Sequence, residues 1–394
     1  MTQIKNLPEV SNFIIEAAKN FEKIIIYADA DLDGVASAVI LKETFELLNP
    51  KYQKKNLWVY FPDRENEGYG ITKNALNYFQ KTAPANFFAL DCGITNFEEI
   101  KLAKKLGFSV VVIDHHQVLD KLPEADFIIN PKQPEDEYPF KFFSAAGLLY
   151  KLAKFTLIQA QIQWKPERFL ELVALATLAD QMPQIEENKE LVKQGLLAFK
   201  HTTRLGLQVL KEETHFVEDD SIELFQKIIA PLNSSDRINH HTQTYLLLTA
   251  SSEQQAKVIA RDLFKKSQEK RQKIQKIVEE VEKRIQGKDL PIIYEGDESW
   301  PLVLIGIVAS KICQKYKKPT FLFKLTDKEA ICSARLPNKI DGVKAMASCK
   351  HLLENYGGHP PACGGRLKKE NFEQFKDCLV KYFQTLNDQT IIEQ

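Results

Sequence analysis

Lys23-Ile24-Ile25-Ile26-Tyr27-Ala28-Asp29-Ala30-Asp31-Leu32-Asp33-Gly34 is the stretch that decides the fold. Its first half is β-branched and aromatic, the composition of a strand; its second half sets three aspartates at alternate positions where that strand must end. Working outward, similar runs at 57–61, 86–90, 109–113 and 126–129 predict further strands. Between them, helical patterns at 35–48, 72–79 and 98–106 each stop near Gly, Pro or Asn. Strands alternating with helices imply a parallel sheet with crossover helices, an α/β fold. The proline-rich segment 131–139 reads as a loop, and helices are expected at 144–160 and 168–179.

Further on, residues 252–286 contain neither Gly nor Pro, and apolar residues recur at helical spacing through Val258, Ile259, Leu263, Ile274, Ile277, Val278, Val281 and Ile285. One long helix is predicted. Between Lys257 and Lys276 it carries eight basic residues against two acids, Asp262 and Glu269, which suits either a solvated face or a surface that tracks phosphates. Gly287 breaks the pattern. Pro291 opens a second α/β segment with strands expected at 292–294, 320–323 and 330–334. The expected organisation is a sheet domain at 1–200, a helical connector at 201–288 and a smaller α/β domain at 289–394, with a cleft between the two α/β parts.

In open parallel sheets, functional groups gather where strands end, and here those ends are acidic. After Asp29, Asp31 and Asp33 come Asp91-Cys92-Gly93, Asp114-His115-His116 and, at a helix end, Asp180. A lone aspartate after a strand usually caps a helix. So many converging carboxylates would instead repel one another and call for a counter-charge. Two divalent cations supply it, activating water and stabilising a leaving oxygen, and oxygen-rich ligation with one imidazole favours Mn²⁺ or Mg²⁺ over structural zinc.

These motifs resemble those of the DHH phosphoesterase family, named for the triplet that stands here as 114–116. The resemblance implies that Asp29, Asp31, Asp33, Asp91, His115 and Asp180 hold two metal ions, with Asp91 bridging, and that His116 faces the phosphate. Family pyrophosphatases and several small-substrate members carry a histidine where this chain has Tyr27; its absence favours the single-strand exonuclease branch, the RecJ-type proteins. The segment from Arg64 to Gly68-Tyr69-Gly70, the loop Asn130-Pro131-Lys132-Gln133-Pro134, and Asn233-Ser234-Ser235-Asp236-Arg237 are similar to segments of that branch, with Asp236 in place of a glycine and able to pair with Arg237. In the C-terminal part, the helix around 300–310, Ser333-Ala334-Arg335 and the glycine-rich loop Gly357-Gly358-His359 resemble the DHH-associated domain. By carry-over Arg64, Arg237, Ser333, Arg335, Gly357, Gly358 and His359 would bind substrate, and Asp114, His116 and His359 would be catalytic.

The implied activity is two-metal phosphodiester hydrolysis, read as a 5′-to-3′ exonuclease on single-stranded DNA or RNA. A nanoRNase or dinucleotide phosphodiesterase, a pyrophosphatase and a non-catalytic replication scaffold are the rivals. Expected partners are single-stranded nucleic acid and a single-strand-binding protein or helicase. Composition agrees with a soluble globular chain: 44% apolar, 27% charged, with 53 basic residues against 53 acidic ones, so any nucleic-acid contact must be local. No apolar run approaches the roughly 20 residues of a membrane helix, no signal region follows Met1, and a cytoplasmic location is expected. The residues after Arg366 are too few for the oligonucleotide-binding barrel of full-length RecJ-type proteins, which implies weak, salt-sensitive binding of long strands. The six cysteines lack Cys-x-x-Cys spacing and are expected as buried free thiols, with no sign of thiolate activation at Cys363. His201, His215, His240, His241 and His351 show no ligand spacing and are read as surface or core residues.

Overall fold

A computed structural model describes residues 2–52, 56–64, 67–119, 121–216, 222–337 and 340–392. The chain divides into two compact units, Met1–Ser267 and Gln268–Gln394.

The first unit is built on the parallel sheet expected from the sequence. Strands β1 (Ile24–Ala28), β2 (Leu57–Tyr60), β3 (Ala85–Leu90), β4 (Phe108–Ile113) and β5 (Phe127–Ile129) run in the order β2-β1-β3-β4-β5. Each strand buries both faces, and period-two alternation sorts its side chains: Ile24, Ile26 and Ala28 join one core, Ile25 and Tyr27 the other. Helices α1 (Leu7–Lys19), α2 (Leu32–Leu48), α5 (Ala145–Gln159) and α6 (Glu167–Ala179) contribute to the first core, and α3 (Lys73–Phe79) and α4 (Phe97–Lys105) to the second. Chain direction across the sheet reverses between β1 and β3, the switch point at which open α/β sheets leave a crevice beyond their carboxyl ends.

Around this sheet, α7 (Glu186–Lys200), α8 (Leu205–Glu213), α9 (Ile222–Leu232), a hairpin of β6 (Arg237–Ile238) and β7 (His241–Thr242), and α10 (Gln243–Leu248) complete the unit. Neither α1 nor the hairpin was expected from the sequence. A buried ionic knot ties the helices that carry the acids. Arg204, 2% exposed at its side chain, donates to Glu43 of α2 at 2.8 Å and Glu171 of α6 at 3.0 Å, and Arg168 reaches Glu43 at 3.0 Å. Charges this deep persist only when paired on every side, so the knot fixes the register of α2 against α6.

Helix α11 (Glu253–Ile285) spans 33 residues and passes from the first unit into the second. Its basic stretch is less available than its composition suggests, because Lys257 pairs with Glu253, Arg261 with Glu213, and Lys266 with both Asp236 and Asp262.

The second unit has a mixed sheet, β11-β12-β10-β9-β8, from β8 (Ile293–Asp297), β9 (Thr320–Leu325), β10 (Glu329–Arg335), β11 (Asn355–His359) and β12 (Ala362–Lys368). One face packs on α13 (Gly342–Ser348) and α14 (Phe372–Ile392), the other on α12 (Leu302–Tyr316) and the end of α11. Two expectations are corrected here. The Gly357-Gly358-His359 segment is strand rather than loop, since ladder pairing of Gly357 with Gly364 and Gly358 with Cys363 holds it extended. Two cysteines are not free thiols: Cys349 at the end of α13 and Cys378 on α14 stand 6.1 Å apart at Cα and form a disulfide. Cys92, Cys313, Cys332 and Cys363 are buried and free.

Candidate metal centre

The acids converge because the ladder continues one residue past each strand. Asp29 N donates to Leu90 O at 3.2 Å, Asp91 N to Ile113 O at 2.9 Å, and Asp114 N to Ile129 O at 3.1 Å. Three aspartates therefore stand level along the carboxyl edge of β1, β3 and β4, two of them flanking the switch point. Asp91 holds this position in the left-handed region, φ 57°, unusual for a residue with a side chain.

The alternate aspartates divide the work. Asp31 is the N-cap of α2, its Oδ1 accepting from the amides of Asp33 and Gly34, both at 3.1 Å. Gly34 is obligatory, for a Cβ there would lie 2.2 Å from Asp29 O. Asp33, buried, caps a different helix: its two oxygens accept from the amides of Ala145 and Ala146 at 2.7 and 2.8 Å, at the start of α5. Asp180 is the C-cap residue of α6. Capping and convergence are thus not alternatives in this chain.

On this frame His115 Nε2 lies 3.2 Å from Asp91 Oδ1, 3.5 Å from Asp180 Oδ2 and 3.8 Å from Asp33 Oδ2. Neighbouring ligands of a small divalent ion, each about 2.1 Å from it, sit about 3 Å apart in octahedral geometry, so these spacings fit. Three overlapping groups bring ligand atoms within 4.8 Å: Asp33, His115 and Asp180; Asp91, His115 and His116; Asp29, Asp31 and Asp91. Two buried atoms at the centre, Asp91 Oδ1 and His115 Nδ1, have no hydrogen-bond partner among the described residues. An orphaned carboxylate oxygen facing an imidazole is costly without a cation, and the donor set suits Mn²⁺ or Mg²⁺.

Electrostatics agree. Burial, then the charge of Asp180, pushes Asp33 up to about 8. Asp91 is raised well above the usual range by burial and then by Asp31, and Asp180 is pushed up to about 6, again by burial and Asp31. Burial, then the His116 charge, holds the His115 ring down to about 4, which leaves it a neutral imidazole near neutral pH. Asp114 takes no part in these groups. Its Oδ1 accepts from His116 Nδ1 at 2.7 Å and its Oδ2 from Ile94 N at 3.0 Å. Burial opposes its charge, but the His116 bond prevails and holds it below the usual range, while the same bond raises exposed His116 to about 9.

The expected substrate residues fall into separate places. Arg64 turns onto the acids, Nε at 2.7 Å from Asp29 Oδ1 and Nη2 at 2.8 Å from Asp31 Oδ2. Arg237 pairs with Glu67 at 2.6 Å and lies over the Tyr60 ring; Asp236, the expected competitor, pairs with Lys266 instead. Tyr27 is buried between the rings of Tyr60 and Phe87, donates to Gly70 O at 2.7 Å and lies outside the three groups. In the second unit Arg335 Nη1 donates to Ala334 O at 2.9 Å and to Ser333 Oγ at 3.3 Å, and burial holds its guanidinium below the usual value. Gly306 of α12 makes room for both, since a Cβ there would lie 3.0 Å from Ser333 Oγ. Gly358, at φ 124°, leaves no space for a side chain above Cys363; the role expected of the His359 side chain lies outside the described residues. Lys132 was missed as a site residue: its amine donates to His115 O from the loop after β5.

A strand-end aspartate cluster joined to an Asp-His-His triplet defines the class. Residues 23–177 match the DHH family N-terminal domain and residues 289–385 the DHHA1 domain, so the chain carries both domains. The chain is 30% identical to the single-stranded-DNA-specific exonuclease RecJ of Bacillus subtilis, over its whole length and 49% of that protein's. It is 28% identical to the Haemophilus influenzae protein of the same name, covering 95% of this chain and 68% of that one. A crystal structure of exonuclease RecJ bound to manganese superposes with a TM-score of 0.80 at 24% identity, covering 97% of this chain and 95% of that one, and so shares the fold. The chain thus spans about half the length of the Bacillus relative.

Proposed function

We propose that this chain is a metal-dependent phosphodiesterase that removes nucleotides from the 5′ end of single-stranded DNA. The convergence of Asp33, Asp91 and Asp180 on His115 Nε2, with Asp91 Oδ1 unpartnered, carries the reading. Two divalent ions, Mn²⁺ or Mg²⁺, held by Asp29, Asp31, Asp33, Asp91, His115 and Asp180, would supply the charge that activates water and stabilises the leaving oxygen. Asp33 is oriented by the α5 amides, and the neutral His115 ring presents Nε2 to the acids. Asp114 fixes His116 through Nδ1, so its Nε2 is free to donate to a phosphoryl oxygen. Ser333 and Arg335 are assigned to the 5′-phosphate, with the Gly357-Gly358 backbone on β11, one strand away across β12.

The relatives' names identify single-stranded DNA as their substrate, which supports the same class here, and a single-strand-binding protein or helicase would present such a strand. No helix among the described residues is long and apolar enough to cross a membrane, in keeping with the cytoplasmic location we assign. Oligomers of DNA and RNA labelled at the 5′ or the 3′ end, and dinucleotides, test the proposal in Mn²⁺, Mg²⁺ and chelator. Mononucleotide release from the 5′ label, lost in chelator, is expected. Turnover in chelator, or of dinucleotides alone, would refute it.

A further inference from the structure

Every hydrogen bond and ion pair of Arg64 among the described residues goes to Asp29 or Asp31. On Asp29, Oδ1 accepts from Arg64 Nε at 2.7 Å and from Ala30 N at 2.8 Å, and Oδ2 lies 2.5 Å from Arg64 Nη2. On Asp31, Oδ1 is spent on the α2 amides, and the remaining Oδ2 lies 2.8 Å from Arg64 Nη2. The fork thus contacts each oxygen that Asp29 and Asp31 have left to offer a cation, and stands where an ion bound to both would sit. The Asp33, His115 and Asp180 group is different: its oxygens accept from backbone amides or approach His115, and no guanidinium of the described residues pairs with it. A guanidinium and a divalent ion cannot both take the same in-plane lone pairs of a carboxylate.

Resting on the reading of these acids as metal ligands, we propose that Arg64 is a counter-cation that competes with one of the two ions. The ion at Asp33, His115, Asp91 and Asp180 enters without disturbing it. The ion at Asp29 and Asp31 enters only as Arg64 withdraws, and the freed guanidinium then grips a substrate phosphate. Gly68 and Gly70 hold φ 86° and 77°, and exposed Tyr69 offers its ring 5.2 Å from the guanidinium carbon, a surface on which the cation can rest. Competition multiplies the ion's intrinsic affinity by the fraction of molecules in which Arg64 has withdrawn, and by reciprocity a phosphate that captures Arg64 tightens the second ion.

Mn²⁺ titrations of the full chain, read by electron paramagnetic resonance of the free ion, test this without turnover. The wild type should show a tight and a weak class of site. R64Q should tighten the weak class by about tenfold or more and leave the tight class within about twofold. R64K keeps the charge but loses the fork, and should tighten the weak class by at least about threefold, whereas a purely long-range electrostatic role would leave it at the wild-type value. A non-hydrolysable phosphorothioate oligomer with a 5′-phosphate should tighten the weak class more in wild type than in R64Q. An unchanged or weakened class in R64Q, or R64K matching wild type, overturns the proposal; if R64Q does not fold, R64K decides. A wild-type chain that binds no Mn²⁺ at all would instead refute the metal reading.

Discussion

At the carboxyl edge of the first sheet, Asp33, Asp91 and Asp180 crowd around one neutral imidazole, with Asp29 and Asp31 beside Asp91, and Asp33 and Asp91 are pushed toward protonation. In the second unit the imbalance is reversed. Arg335 is half-buried among the thiols of Cys313, Cys332 and Cys363, forms no ion pair among the described residues, and is held below its usual value. One region has anions in want of cations, the other a cation in want of an anion. Both arrangements cost folding energy, which points to ligands rather than stability as the reason for each.

Asp91→Asn is the strongest way to break that comparison. Losing the one acid shared by two of the candidate groups should cost about 10³-fold or more in turnover, on the several-kcal/mol scale of metal charge stabilisation. The same variant should be more stable than wild type in chelator, by about 1 kcal/mol, because it removes a buried charge from among like charges and its Oδ1 has no partner to lose. Activity assays paired with calorimetry check both. A variant that is inactive and also less stable in chelator would mean that Asp91 serves the fold.

Arg335→Ala probes the opposite deficit. An Arg–phosphate pair in a partly desolvated pocket is worth about 2–3 kcal/mol, so turnover of 5′-phosphorylated strands should fall roughly 10²-fold while 5′-hydroxyl strands lose far less. Equal losses on both ends would remove the phosphate role from Arg335 and reduce the comparison to one site.

How much of this was legible beforehand depended on range. Strand β1 and its aspartates could be read because a β-branched run stops at a charge, and α11 because nothing interrupts its helical pattern over 33 residues. The Gly357-Gly358 strand could not, since glycine carries no strand signal of its own and only pairing with β12 extends it. Nor could the direction of Arg64, set by acids 33 and 35 positions earlier, nor the Arg237–Glu67 pair across 170 residues. The disulfide joins cysteines 29 residues apart that only the packing of α13 on α14 brings together. Local pattern identified the ligand candidates; tertiary contacts decide what each is paired with.

The mildest test uses an acid that already has its partner. Asp297 in β8 lies 2.5 Å from Arg284, and Ser299 N donates to it at 2.8 Å. Burial opposes its charge, but the Arg284 and Ser299 bonds prevail and lower it to about 2. A depressed carboxylate contributes stability above its unfolded value, about 3.9, and loses that contribution as pH falls through the folded one. Because the pair is partly exposed, D297N should cost only about 0.5 kcal/mol near pH 6, with the difference from wild type shrinking between about pH 4 and 2. Trp300 reports on this unit once Trp58 and Trp164 are replaced by phenylalanine, and urea unfolding at stepped pH then gives the difference directly. Asp→Asn should therefore destabilise at 297 and stabilise at 91. If both substitutions shift stability the same way, the contrast between satisfied and unsatisfied acids does not hold, and the case for a cation at Asp91 loses its thermodynamic support.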